Sequence, residues 1–330
     1  MNTDRIRLIK MLQDLNAISF EHIALALFEY QYANNLLYKS FADALNKSPK
    51  QVYQLTDIPF LPISFFKTHQ IHTGSKQKGA TIFESSGTTK DTPSKHLVAD
   101  IKLYESNLLR GFSQFYGNPS DYVFLALLPS YLERKNASLV HMAQVLMSQS
   151  KYSDNGFYLE NKERLANTLQ TLENRQQRTI LLGVTFALLD FAEAFPQRLH
   201  HTIVMETGGM KGRREEWTRS EVHHFLQERF SLPNIHSEYG MTELLSQAYS
   251  QSAGLFHSSN TLKIMVRDME DPLCVTLSGR GAINIIDLAN IDSCAFIATD
   301  DIGFLHANGQ FEVQGRLDYS ALRGCSLMVV

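Results

Sequence analysis

The segment TILLGVTFALLDFAEAFPQRLHHTIVME, residues 179–206, decides the fold of this chain. Two short apolar runs, 179–184 and 202–206, flank a stretch over 186–195 whose apolar residues recur at helical spacing. A strand, a helix and a second strand in this order predict a β-α-β unit with two parallel strands. We therefore expect a parallel sheet covered by helices at the centre of the molecule.

The same alternation continues on both sides of this segment. Further strand patterns lie at 80–84 and 122–128, and further helical patterns lie at 98–114, 137–149, 161–175 and 219–229. The last of these helices opens with Thr218-x-x-Glu221, a capping box. The pattern is typical of an α/β fold.

Strand patterns dominate the end of the chain. They lie at 262–267, 282–287, 295–299 and 303–306, and Asn308-Gly309 then favours a tight hairpin turn. Near the other end, helical patterns lie at 4–15 and 20–45. The first predicts an amphipathic helix rather than a signal peptide.

The 330 residues fit one large domain without a sharp internal boundary. Within it we expect a helical N-terminal segment over 1–50, an α/β core over 51–255 and a smaller β-rich subdomain over 256–330.

Composition excludes several classes of protein. Hydrophobic residues make up 44% and charged residues 20%, as in globular proteins. The net charge of −3 lacks the basic excess of a nucleic-acid binder. No apolar run reaches the roughly 18 residues of a membrane-spanning helix. The three cysteines are widely spaced and form neither a CxxC pair nor a disulfide framework; they are Cys274, Cys294 and Cys325. We therefore expect a protein of the reducing cytoplasm.

A loop rich in hydroxyl groups follows the strand pattern at 80–84. It consists of Ser85, Ser86, Gly87, Thr88 and Thr89, with Lys90 and Lys95 close behind. Backbone N–H and hydroxyl groups in such a loop can bind phosphate. An ordinary surface turn explains the same residues.

A second candidate loop follows the strand pattern at 202–206. Gly208 and Gly209 allow the backbone to approach a flat ligand such as a base, or they simply form a tight turn. Lys211 and Arg213 follow within the same loop.

Three further groups of residues offer ligand contacts. In YGMTE, Gly240 frees the backbone, Tyr239 offers a ring face, and Thr242 and Glu243 offer oxygens to phosphate or Mg²⁺. In TDDIG, residues 299–303, an aspartate can bind ribose hydroxyls. Arg316, within GRLD, can contact ribose or phosphate. Hairpin turns with solvated charges are the alternative explanation of the last two.

The order of these motifs resembles the adenylate-forming superfamily of acyl and aryl ligases. The resemblance implies that the loop 85–89 holds the β- and γ-phosphates of ATP and that Gly208 and Gly209 flank adenine. It further implies that Tyr239 stacks on adenine, that Asp301 binds ribose and that Glu243 holds Mg²⁺. The implied fold is that of the N-terminal part of these ligases.

A narrower resemblance is to the acyl-protein synthetase family of the LuxE type. It rests on DIPFLPISFFKTH, FESSGTT, LLPSYLER, METGGMKGRREE, HSEYGMTELLSQAY and the ending ALRGCSLMVV. It implies that the protein activates a fatty acid with ATP and carries the acyl group on Cys325. An acyl reductase is the implied partner. Without the resemblance, Cys325 would be interpreted as an inert thiol.

Some residues depart from the superfamily pattern. Lys90 and Asp300 stand where glycines are usual, and the chain stops twelve residues after Asp318. We therefore expect no second domain and no catalytic lysine from it. The candidate cations for the α-phosphate are Lys90, Lys95, Lys211, Arg213 and Arg316.

Two other functions remain compatible with the same motifs. One is a stand-alone ligase that delivers acyl groups to coenzyme A or a carrier protein, and the other is a non-enzymatic nucleotide-binding homologue. The residues 186–189 are interpreted as an acyl-tunnel wall or as plain core. The pairs His200-His201 and His223-His224 are predicted to be exposed.

Overall fold

The computed structural model describes residues 3–15, 17–74, 79–85, 92–128, 136–158, 161–208 and 217–317. The helices in these ranges are α1 (Thr3–Gln13), α2 (Phe20–Asn34), α3 (Leu36–Ala44), α4 (Phe65–Thr68), α5 (Ile101–Tyr116), α6 (Ser138–Gln149), α7 (Lys162–Asn174), α8 (Thr185–Ala194) and α9 (Arg219–Phe230), with 3-10 turns at Leu55–Asp57 and Pro119–Asp121. The strands are β1 (Leu61–Pro62), β2 (Thr81–Glu84), β3 (Lys95–Val98), β4 (Val123–Leu127), β5 (Gly156–Phe157), β6 (Thr179–Gly183), β7 (Thr202–Glu206), β8 (His236–Tyr239), β9 (Ala248–Ser250), β10 (Phe256–Ser258), β11 (Leu262–Arg267), β12 (Val275–Thr276), β13 (Gly279–Asp287), β14 (Phe296–Leu305) and β15 (Phe311–Arg316).

One large mixed sheet runs through the molecule. Its strand order is β12-β11-β13-β14-β15-β10-β9-β8-β7-β6-β4-β5, and β1 pairs with β14 beside this path. The strands from β5 to β8 are parallel, while those from β8 to β12 along this order are antiparallel. The predicted α/β fold with a β-rich part is confirmed.

The β-α-β unit that decided the fold is present. β6 and β7 are parallel, with Thr179 opposite Thr202 and Gly183 opposite Glu206, and α8 joins them. Every residue of β4 and β6 is buried, because helices cover the parallel half of the sheet. α9 begins after Thr218 with the predicted capping box.

The strand at 80–84 does not belong to the parallel sheet, contrary to our prediction. β2 pairs antiparallel with β3 in a separate two-stranded sheet. A parallel pairing needs a crossover of a dozen or more residues, and the segment between these strands is shorter. Only Phe83 is buried in β2, so this strand has no second covered face.

The segment TDDIG is not a turn, contrary to the alternative explanation above. The patterns at 295–299 and 303–306 form one continuous strand, β14, and Asp301 lies in its middle. The ladder between β14 and β15 changes register between Ile302 and Gly303. The predicted hairpin turn at Asn308-Gly309 is confirmed, with Gly309 at φ 85°.

The N-terminal helices pack on the antiparallel half of the sheet. The pattern at 20–45 is two helices, because Asn35 is extended and its side chain accepts the hydrogen bond of Tyr38 N–H. Gln31 donates to the carbonyls of Asn290 and Ile291, 2.8 and 3.1 Å away. None of the helices in the described ranges is long and apolar enough to cross a membrane.

Candidate active site

The carboxyl ends of β7 and β8 bring two predicted motifs side by side. The strands are parallel, with Glu206 opposite Ser237, so the turn at Gly208 and the start of YGMTE leave the sheet at the same edge. Gly208 has φ 75°, a conformation that favours glycine. Ligands of open α/β sheets bind at this edge.

Three predicted residues meet at one contact. The Tyr239 hydroxyl donates to Asp301 Oδ2 at 2.8 Å, and Arg316 Nε donates to Asp301 Oδ1 at 3.1 Å. The contact forms because Asp301 and Arg316 are direct partners across β14 and β15. Burial and the Asp301 carboxylate raise the pKa of Tyr239 well above its usual value, so the phenol stays a donor.

The Tyr239 ring faces the β-rich part of the molecule. It packs edge-on against Phe256 and Phe311, with centroid distances of 5.9 and 5.5 Å. These contacts explain why Tyr239 is buried. Stacking on adenine stays a prediction for this residue.

The predicted magnesium ligand, Glu243, is buried close to Ser85, the first residue of the predicted phosphate loop. Ser94 hydrogen-bonds its carboxylate, and Ser94 N–H in turn donates to Ser85 Oγ at 2.8 Å. Burial raises the pKa of Glu243, while Ser94, Arg316 and Lys67 act in the opposite direction. Ser94 therefore links Glu243 to Ser85, the first residue of the predicted loop.

The donor set fits Mg²⁺ bound together with phosphate. No cluster of three or more His, Cys, Asp or Glu side chains occurs among the described residues. Mg²⁺ is commonly held by one or two carboxylates together with substrate phosphates and water. A single buried carboxylate at Glu243, beside hydroxyl groups, agrees with that manner of binding.

Buried polar side chains that sequence reasoning missed hold the turn 241–246. His96 lies with Nδ1 2.8 Å from the Thr242 carbonyl oxygen and Nε2 3.0 Å from Asn290 Oδ1. Asn290 Nδ2 donates to the Glu243 carbonyl oxygen at 2.8 Å. Asp287 Oδ2 accepts from the N–H groups of 245 and 246 at 2.7 and 3.0 Å.

A second missed group surrounds Glu206, directly before the Gly208 turn. Its carboxylate accepts from Gly208 N–H and contacts Arg219, while His223 Nε2 lies 3.1 Å from Ser237 Oγ. The prediction that His223 is exposed is wrong. It lies three residues before Leu226, on the face of α9 that packs against the sheet. Its neighbour His224 is exposed, as predicted.

Several predicted residues lie outside the described ranges. They are Ser86, Gly87, Thr88, Thr89, Lys90, Gly209, Lys211, Arg213 and Cys325. Of the candidate cations in the described ranges, Lys95 lies on β3 with Nζ 3.5 Å from Glu84 Oε1, and Arg316 contacts Asp301. The residues 186–189 are buried in the core that covers the parallel strands, and their role as an acyl-tunnel wall stays a prediction.

The sequence matches the family described as "Acyl-protein synthetase, LuxE" over residues 9–330. The chain belongs to the LuxE acyl-protein synthetase family. This confirms the narrower resemblance drawn from the motifs. Among curated proteins, none matches this sequence.

Solved structures of ligases share the fold of this LuxE-family chain. ATP-bound MatB from Rhodopseudomonas palustris has a TM-score of 0.54 and 16% identity, covering 74% of this chain and 50% of that one. A 2-hydroxyisobutyryl-CoA ligase with 2-HIB-AMP has a TM-score of 0.66 and 14% identity, covering 90% and 68%. A long-chain-fatty-acid-CoA ligase, FadD1 from Archaeoglobus fulgidus, has a TM-score of 0.50 and 16% identity, covering 73% and 52%.

These similarities show the fold predicted from the motifs, that of adenylate-forming ligases. The LuxE-family chain spans about half the length of MatB.

Proposed function

We propose that this LuxE-family chain activates a carboxylic acid, a fatty acid in the leading case, with ATP. The contact between Tyr239, Asp301 and Arg316 is the chief support. A buried carboxylate beside a guanidinium, in contact with the last residue of β8, suits a ribose and its attached phosphate. Membership of the LuxE family supports the same activity.

In the activation step, a carboxylate oxygen of the acid bonds to the α-phosphorus of ATP. The bond from that phosphorus to the bridging oxygen breaks, and pyrophosphate leaves. Asp301 would hold the ribose, Arg316 or Lys211 would face the α-phosphate, and the loop 85–89 would hold the β- and γ-phosphates. Glu243, with Thr242 beside it, would hold Mg²⁺, which when bound would further neutralise the phosphate charge.

In the transfer step, the Cys325 thiolate bonds to the carbonyl carbon of the acyl adenylate. The bond from this carbon to the AMP oxygen breaks, AMP leaves, and the thiol proton passes to solvent. Arg323 is the neighbour that would lower the pKa of the Cys325 thiol. The acyl group would then pass, in the cytoplasm, to an acceptor such as an acyl reductase.

We propose that one domain performs both steps. Its parts are the helical segment 1–50, the α/β core 51–255 and the β-rich subdomain 256–330.

The test is the intact mass of the protein after incubation with Mg²⁺, ATP and a mixture of fatty acids. We expect an ATP-dependent gain of one acyl mass that is absent from Cys325→Ser. Cys274→Ser is the matched control, because Cys274 is an exposed cysteine in the described ranges. This control should keep the gain, and the added mass identifies the acid.

Three results would contradict parts of the proposal. A gain in mass that persists in C325S would show that Cys325 is not the acyl acceptor. Acyl transfer only when coenzyme A or a carrier protein is added favours the stand-alone ligase. Absence of carboxylate-dependent ATP–pyrophosphate exchange favours the non-enzymatic homologue.

A further inference from the structure

Glu206 is a buried carboxylate with contacts to both of its oxygens. Oε2 accepts from Gly208 N–H at 2.7 Å and from Thr185 Oγ1 at 3.1 Å. Oε1 accepts from Arg219 Nε at 3.2 Å and lies 3.6 Å from His223 Nε2. Burial alone would raise the pKa of Glu206, but His223, the charge of Arg219 and Ser237 outweigh it and lower the value to about 2.

Other hydrogen bonds hold the backbone next to the N–H group that Glu206 accepts from. Thr207 N–H donates to the Gly183 carbonyl oxygen at 3.1 Å. The carbonyl oxygen of Gly208 accepts from Thr185 N–H at 3.1 Å. A Cβ placed at Gly208 would meet nothing within 4 Å in the described ranges. Glu206 is therefore one of the groups that hold the backbone at Gly208, together with Thr185 and the Gly183 carbonyl.

Arg219 extends the contacts of Glu206 to the strand that carries Arg316. Arg219 Nη1 donates to the Val313 carbonyl oxygen at 3.0 Å, and its guanidinium lies over the Phe256 ring at 5.0 Å. Val313 is in β15, three residues before Arg316. A continuous path of contacts therefore joins the Gly208 turn to the contact between Asp301 and Arg316.

We propose that Glu206 is a positioning residue for the nucleotide. Through Gly208 N–H it fixes the turn beside adenine, and through Arg219 it sets the distance from that turn to β15. The inference rests on the proposed function, in which Gly208 and Gly209 flank adenine and Arg316 contacts ribose or phosphate. Glu206 itself needs no contact with ATP.

A purely structural role explains this arrangement less well. Buried ion pairs are weak contributors to stability and can often be replaced by apolar side chains. The side chain of Glu206 is 4% exposed, and the side chain of Arg219 is 27% exposed. A costly pair beside the candidate site is better explained by the geometry that it imposes.

The test compares Glu206→Gln with Glu173→Gln in carboxylate-dependent ATP–pyrophosphate exchange. Glu173 is the matched control, because its carboxylate accepts from the N–H groups of His200 and His201 at the opposite end of β7. We expect E206Q to raise the KM for ATP about tenfold or more, which is the effect of losing a charged hydrogen bond. The KM for the acid should stay within about twofold, and E173Q should change neither value.

A second variant tests the path to β15 if E206Q does not fold. Arg219→Lys keeps a positive charge beside Glu206 and loses the bond to the Val313 carbonyl oxygen. We expect a smaller but measurable rise in the KM for ATP. An unchanged KM for ATP in the folded variants, or an equal rise for ATP and the acid, would overturn the inference.

Failure of the proposed function gives a different result. If the wild-type protein shows no exchange, calorimetric titration with ATP and Mg²⁺ still compares wild type with the variants. Weaker ATP binding by E206Q then supports the positioning role without the reaction. A wild-type protein that binds no ATP would overturn both proposals.

Discussion

At the scale of the residue, His96 joins two parts of the candidate site. Its ring is fully buried between the Thr242 carbonyl and Asn290. Burial lowers the pKa of His96 to about 4, against the opposing effect of these two contacts. The ring is therefore neutral at pH 7, and it aligns β3 with the turn that carries Glu243.

His96→Gln should lower the free energy of unfolding by about 1–3 kcal/mol at neutral pH, because one buried partner is left without its hydrogen bond. The pKa of His96 is lower in the folded state than the usual 6.5, so the unfolded chain binds this proton more readily. Wild-type stability should therefore fall as the pH decreases from about 6.5 towards 4, and the variant should lack this contribution.

Urea unfolding at about pH 7.5 and about pH 5 measures both effects. His22→Gln, a change at an exposed position, is the control and should unfold like wild type at the higher pH. Equal unfolding curves for H96Q and wild type at both pH values would refute this role of His96.

The order of the motifs predicted three residues that the structure brings together. Tyr239, Asp301 and Arg316 were predicted and meet at one contact. Residues that act through distant backbone were not predicted: His96 contacts groups 146 and 194 positions away. A single polar residue in an apolar pattern does not reveal which distant group it pairs with.

At the scale of the element, the register change in β14 depends on Gly303. A Cβ at this position would collide with the Glu312 carbonyl oxygen and press on Ile283. The close approach of β15 to β14 at this point follows the register change after Ile302. This register change keeps Asp301 opposite Arg316.

Gly303→Ala should therefore destabilise the protein by about 2 kcal/mol or more, because strand backbone has to move. Gly315→Ala is the control on the partner strand, since nothing in the described ranges lies within 4 Å of its Cβ position. We expect the control to change the free energy of unfolding by about 0.5 kcal/mol or less. Thermal unfolding compares the two, and equal stability of both variants would contradict the prediction.

Strands that are mostly buried and rich in apolar residues were predicted to within a few residues. β7 was predicted at 202–206 and β11 at 262–267, as found. The pairing of β2 was predicted wrongly, because a four-residue apolar run does not reveal its partner strand. Pairing depends on contacts that local periodicity does not contain.

At the scale of the whole molecule, Arg5 ties the first helix to two distant segments. Its Nε and Nη2 donate to the two carboxylate oxygens of Asp292 at 2.6 Å each, and Nη2 also donates to Asp100 at 3.2 Å. Asp100 in turn caps α5. The N-terminal segment, the sheet and α5 are thereby joined at one guanidinium.

Arg5→Gln should lower the free energy of unfolding by about 1–3 kcal/mol, because two carboxylates lose a charge-assisted partner. The exposed Arg7 on the same helix provides the control, Arg7→Gln, and urea unfolding compares the two variants.

Urea unfolding of the wild-type protein, followed by circular dichroism and by tryptophan fluorescence, should give one coincident transition, as expected of a single domain. Two separate transitions in the wild type would contradict the one-domain proposal.

The packing of the N-terminal helices could not be read from their own sequence. Amphipathic spacing predicted that helices form over 4–15 and 20–45. It did not predict that Phe28 and Tyr38 would pack against Phe296 in β14. Only long-range contacts decide which apolar surface covers such helices.

The pairing of β1 with β14 has a consequence for synthesis of the protein. Leu61 pairs with Ile297, so a ribosome makes β1 and α2 long before the strand that covers them. At elongation rates of about 5–20 residues per second, this delay is about 10–50 s. During that interval Phe28, Tyr38 and Leu61 of the nascent chain lack their partner strand, so a chaperone at the ribosomal tunnel exit would meet them first.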